Sequence, residues 1–106
     1  MTVPQPYTQP RSTPQIHAVS FPTATIRSGR VAVAKLECTG IPPEEIRCAP
    51  VRPGFTVEVL PTRAREGRFI ILGIRITRMP DTQRDLCLLR LSAGLASSLA
   101  SLTVLR

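Results

Sequence analysis

Residues 70–77 read IILGIRIT, with Ile70, Leu72, Ile74 and Ile76 on alternate positions and Arg75 and Thr77 between the last of them. A spacing of two puts these side chains on one face of an extended strand and scatters them around a helix. The same spacing returns along the chain. Ala32, Ala34, Leu36 and Cys38 oppose Lys35 and Glu37, and Phe55, Val57 and Val59 alternate with Thr56 and Glu58. Cys87, Leu89 and Leu91 lie opposite Arg90, and Ala100, Leu102 and Val104 alternate with Ser101 and Thr103. Each segment predicts a strand with one buried face. No stretch of a dozen residues keeps a helical spacing without a proline.

Turn chemistry separates these segments. Ser28-Gly29, Thr39-Gly40, Pro53-Gly54, Glu66-Gly67, Pro80-Asp81 and Ala93-Gly94 fall between them, where glycine and proline meet the backbone demands of tight reversals. Ile16 to Phe21 is a short apolar run stopped by Pro22, and GIPPEEIRCAP predicts a loop with a short strand near Ile46 to Cys48. The tail SAGLASSLASL predicts a hairpin into the last strand. The expectation is an all-β, antiparallel β-sandwich of about seven strands over residues 16–106. With three Phe, one Tyr and no Trp, its core must be aliphatic. Leu36, Val57, Leu72, Ile74, Leu89 and Val104 are expected between the sheets.

The first fifteen residues, MTVPQPYTQPRSTPQ, differ in kind. Pro4, Pro6, Pro10 and Pro14 bias them toward an extended polyproline II arm with too few apolar groups to fold alone. Such an arm spans about 45 Å. It is expected to dock on a neighbouring subunit, with Val3 and Tyr7 as anchors and Arg11 as a further contact.

Residues 16–106 also resemble a bacterial Ig-like domain, the IPT/TIG type most closely. The resemblance rests on VSFPTATIRSGRVAVAKLECTGIPP, GFTVEVLP, FIILGIRIT and DLCLLRLSAGLASSLASLTV. These carry a proline after the first strand, glycines before and after the second, and a closing hairpin. The resemblance implies an Ig-like sandwich with Cys38 and Cys87 on facing strands, roughly where Ig domains place an inter-sheet disulfide. In a reducing cytosol the same pair would be two small buried thiols, which the count of three cysteines favours. The resemblance further implies the setting in which such domains recur, capsid decoration or tail components of bacteriophage particles.

Reactive chemistry is sparse. His17, the one histidine, reads as a strand residue rather than a general base, and Glu44-Glu45 as solvated loop charges. Asp81 and Asp85 bracket Arg84, which disfavours a calcium site. Cys38, Cys48 and Cys87 lack zinc-ligand spacing. No catalytic residue, metal or cofactor is expected, and the chain reads as non-enzymatic. The net charge is +7, and Lys35 is the one lysine, so arginine carries the balance. Arg63, Arg65 and Arg68 in PTRAREGR are expected at an exposed turn facing an acidic partner surface. A nucleic-acid partner would bring stacking aromatics that this chain lacks.

The functional expectation is a virion structural protein, made in a host cytoplasm without a signal peptide, whose partners are protein subunits of a capsid or tail. Membrane contact is not expected. An extracellular or periplasmic Ig-like module in adhesion or carbohydrate binding is the alternative, followed by a small basic nucleic-acid binder.

Overall fold

The computed structural model describes residues 13–106. The expected arm contacts Val3, Tyr7 and Arg11 lie outside the described residues. Eight strands form: β1 (Gln15–Ser20), β2 (Thr25–Arg27), β3 (Val31–Thr39), β4 (Arg47–Pro50), β5 (Phe55–Glu66), β6 (Phe69–Arg78), β7 (Leu86–Ala93) and β8 (Ala96–Leu105). A single 3-10 turn, Pro43–Glu45, precedes β4. There is no α-helix among the described residues. β1 already pairs Gln15 with Thr39, so the sandwich begins one residue earlier than expected.

Two four-stranded sheets face each other, ordered β1-β3-β6-β5 and β2-β8-β7-β4. Leaving out the short β2, this is the ABED and CFG order of an immunoglobulin constant-type sandwich. The strand count and direction differ from expectation at β2 alone. This eighth strand runs parallel to β8, pairing Thr25 to Thr103 and Arg27 to Leu105, so the sandwich is not wholly antiparallel. Three residues with one buried side chain, Ile26, are too few to display an alternation. Pro22 marks the change of sheet, since proline cannot donate to a continuing ladder and the chain leaves β1 there.

The core is aliphatic, as the composition demands. Ala32, Ala34, Leu36 and Cys38 of β3 and Ile70, Leu72, Ile74 and Ile76 of β6 form one inner face. Cys87, Leu89 and Leu91 of β7 with Leu102 and Val104 of β8 form the other. Five of the six expected core residues are fully buried, while Val57, near the β5 edge, is half-buried. Ile41 and Ile46 also enter the core, which turns the GIPPEE loop into a lid over one end.

All four edges are blunted against strand addition. β1 carries a bulge at His17, between Ile16 and Ala18. β5 carries a larger irregularity between Val59 and Arg63 that takes in Pro61, a residue with no donor to offer. β2 is three residues long, and β4 is four and ends at Pro50. Truncating Leu72 or Leu89 to Ala, each with no more than 1% of its surface exposed, is expected to destabilise the fold by about 2–5 kcal/mol. Guanidinium denaturation followed by far-ultraviolet circular dichroism measures the loss.

Candidate functional site

The inward face of β6 runs Ile70, Leu72, Ile74, Ile76 and then Arg78, a cation where the alternation calls for another aliphatic residue. Arg78 is 8% exposed. Desolvating a guanidinium is tolerated only when its donors are met, and here they are. Nε and Nη2 donate to the Thr82 carbonyl at 3.2 and 2.9 Å. Nη1 donates to Asp85 Oδ1 at 2.5 Å and to the Val104 carbonyl at 3.1 Å. One side chain thus ties the end of β6 in the first sheet to β8 in the second, and folds the 79–85 loop around itself.

Further bonds fix that loop. Met79 N–H donates to the Gly54 carbonyl at 2.9 Å, and Thr82 Oγ1 donates to the same oxygen at 2.8 Å. Arg106 reaches the carbonyls of Pro80 and Thr82 at 3.3 and 3.1 Å. Gly54 is required there on two counts. Its φ is +117°, and a Cβ would come within 2.8 Å of Thr82 Oγ1. Between the 51–54 turn and this loop lies an open groove of about 640 Å³ whose lining mixes charges, Arg52 and Arg84 with Asp81, beside Gly54, Met79 and Thr82. It adjoins a more enclosed hollow of about 270 Å³ between Arg52, Phe55, Arg84, Asp85, Leu86 and Leu88.

A second surface feature is the outer face of the first sheet. Val31 and Val33 are 39% and 49% exposed there. Val33 pairs with Gly73, and Ile71 lies one ladder step away opposite Lys35. Leu60 and Val31 close over Gly73 from either side, each within 3.0 Å of where a Cβ would stand. This aliphatic patch lies between the Lys35–Phe69 contact and the Arg75–Glu58 ion pair.

The three arginines expected at an exposed tip are not equivalent. PTRARE is strand, and only Gly67 and Arg68 form the β5–β6 reversal. Arg63 donates to the Pro43 carbonyl at 2.5 Å and Arg65 to that of Ile41. Both pin the lid loop at the end opposite the groove. Arg68 pairs with Glu37 at 3.4 Å and lies 5.9 Å from the centre of the Phe69 ring. The arginines missed from sequence were the important ones. Arg78 was detectable as the continuation of the β6 inward face.

His17 Nε2 lies 2.7 Å from Thr39 Oγ1 across the bulged edge. Among the described residues, no three His, Cys, Asp or Glu side chains converge as a metal site would require. No helix among them is long and apolar enough to cross a membrane. A scan against models of protein families finds no match to this chain, and neither does a search of curated proteins.

Cys38, Cys48 and Cys87 are free thiols, and the first and last are buried. Burial pushes Cys48 up to about 12, with the neighbouring Cys87 adding to the shift, and Cys87 up to about 11. Cys38 is also raised by burial, partly offset by Arg65. The thiolate is the reactive form, so all three should resist alkylation by iodoacetamide at neutral pH until the chain unfolds. Raised folded values mean that the unfolded chain loses these protons first. The thiol contribution to stability is therefore complete below about pH 9 and is lost as pH rises toward 11–12. Denaturation midpoints measured from pH 7 to 11 check the fall.

Replacing Arg78 by Met keeps the length of the side chain and removes its donors. The Val104 carbonyl then loses this donor and the Thr82 carbonyl keeps only Arg106, which should cost on the order of 2–3 kcal/mol. Asp85→Asn should cost less than about 1 kcal/mol, because the Asp85 side chain is 61% exposed. Urea titrations of the two variants check the contrast.

Proposed function

We propose that the protein is a non-enzymatic structural module that joins a larger protein assembly. The assembly is taken to be a bacteriophage particle, the setting that the resemblance of residues 16–106 to Ig-like domains implies. The observation that carries this reading is the outer face of the first sheet. Val31 and Val33 stand exposed on an interior strand of that sheet, flanked by Ile71 and by Leu60, which closes over Gly73. Contiguous aliphatic surface of this kind favours burial against another protein. With all four edges closed to strand addition, a partner is met through faces and ends, and through the arm that leads into β1 of the same sheet.

The test is made on untagged protein from its native source. The wild-type chain should migrate with a large particle on size-exclusion chromatography. A Val31→Asp/Val33→Asp variant should fold with nearly unchanged thermal stability and migrate as free protein. Removing residues 1–12, which leaves β1 intact, should weaken association further. A wild-type chain that migrates alone, or a double variant that still joins the particle, contradicts the proposal.

A further inference from the structure

The aliphatic patch on the first sheet and the entry of the chain into the fold lie at opposite ends of the molecule. β1 begins at Gln15, which pairs with Thr39 at the end of β3 beside the lid loop. Thr13 and Pro14 share a surface cleft there with Leu95 and Ala96, and Leu95 at the hairpin tip is fully exposed. Val31 opens β3 at the other end, opposite Arg75, and Val33 lies opposite Gly73. Six residues separate Val33 from Thr39, which is about 20 Å of strand. β1 runs antiparallel to β3, and Thr13 and Pro14 form no turn. The chain therefore enters the sheet from the lid end, on the far side from its own patch.

We propose, resting on the reading of this sheet face as a docking surface, that its occupant is residues 1–12 of a second copy of the chain. The two copies stack end to end, the lid end of one against the Arg78 end of the next. Reach and direction select this occupant. Twelve residues in polyproline II form span about 37 Å, and in such a stack the next copy's Val31 stands just across the junction, in line with β1. The chain's own patch would demand a full reversal within residues 1–12. That segment has no glycine and three prolines, and each proline keeps the residue before it extended. The spacing fits as well. Val3 and Tyr7 are four residues apart, about 12 Å in polyproline II. Val31 and Lys35, the residue opposite Ile71, are also four apart, about 13 Å along a strand. Entry from the junction sets Tyr7 over Val31 and Val33, and Val3 beside Ile71. Proline rings pack on aliphatic side chains, and their missing N–H is no loss on a face that offers no ladder. Charge does not choose the occupant. Glu44, Glu45 and Arg47 at the lid end, and Arg30, Arg52 and Asp81 at the other, join no ion pair among the described residues. Arm and patch occupy different places on each copy, so the contact is heterologous and repeats into a ring or a filament.

Intermolecular paramagnetic relaxation on the full chain tests the arrangement. A nitroxide is attached at Thr2→Cys, the native thiols being held back by burial, and this chain is mixed with isotope-labelled wild type that carries no nitroxide. The amides of Lys35 and Ile71 should broaden most and those of Val31 and Gly73 less. Those of Arg90 and Ser101 on the second sheet should change least. Val31→Asp/Val33→Asp in the isotope-labelled copy, or Val3→Ala/Tyr7→Ala in the nitroxide copy, should weaken the effect by about tenfold. Sedimentation equilibrium of the untagged chain should show association that persists in molar salt, where the Debye length is about 3 Å. Broadening of the patch only when nitroxide and isotope sit on one chain, diluted with unlabelled wild type, would put each arm on its own patch and overturn the proposal. So would an undisturbed patch, an effect centred on another surface, or association that salt abolishes. A patch that takes no arm, in a protein whose Val31→Asp/Val33→Asp variant still leaves the native particle, overturns the arm as occupant and leaves the docking face standing.

Discussion

A single buried guanidinium closes one end of this molecule. Arg78 lies on the inward face of β6 and donates to the Thr82 carbonyl in the loop, to Asp85 just before β7, and to the Val104 carbonyl of β8. The facing sheets otherwise meet through aliphatic contact, which holds them together but does not fix where one ends against the other. Hydrogen bonds with defined directions supply that registry. The backbone joins in the same knot: Arg78 N–H donates to Ser28 Oγ at 2.8 Å, and Val104 N–H to the Asp85 carbonyl at 2.7 Å. The groove beside Arg52 and Arg84 is a consequence, because the loop that forms its wall cannot relax away from the 51–54 turn.

The opposite end is closed by the same chemistry. Arg63 and Arg65 reach from β5 to carbonyls of the 41–43 segment, holding Ile41 and Ile46 over the core. An arginine offers five donors in a planar fork and meets several carbonyls at once, whereas a lysine concentrates its charge at one point. The chain has a single lysine and a net charge of +7, and the carbonyl contacts at both ends are made by arginine. Part of the charge is structural: Arg27, Arg63, Arg65, Arg78 and Arg106 donate to carbonyls at the two ends of an aliphatic sandwich. Arg30, Arg47, Arg52, Arg84 and Arg90 make no such bond among the described residues.

The sandwich was legible in the sequence because a period of two, repeated in segments such as 32–38, 70–76 and 87–91, has one physical solution when one face must be buried. The turns were legible for the same kind of reason, since Gly67 and Gly94 adopt positive φ, which other residues avoid. β2 was not legible, since three residues carry no period. The destination of the arginines was hidden more deeply. PTRAREGR reads as an exposed charged turn until the ladder places Arg63 opposite Leu72 and Arg65 opposite Ile70, on the inward side of an edge strand. The groove is hidden for a related reason, because residues 52 and 84 are brought together only by the ladder and by Arg78.

Native-state hydrogen exchange of single amides tests the role of Arg78 most directly. In the wild-type protein the amides of Met79, Thr82 and Val104, which donate to Gly54, Met79 and Asp85, should exchange slowly, with Val104 close to the global unfolding limit. In Arg78→Met the Met79 and Thr82 amides should exchange orders of magnitude faster, while those of Leu72 and Leu89 stay protected to within the loss of global stability. Fast exchange of Met79 and Thr82 in the wild-type protein, or unchanged protection in the variant, would contradict the claim that one buried arginine builds this end of the fold.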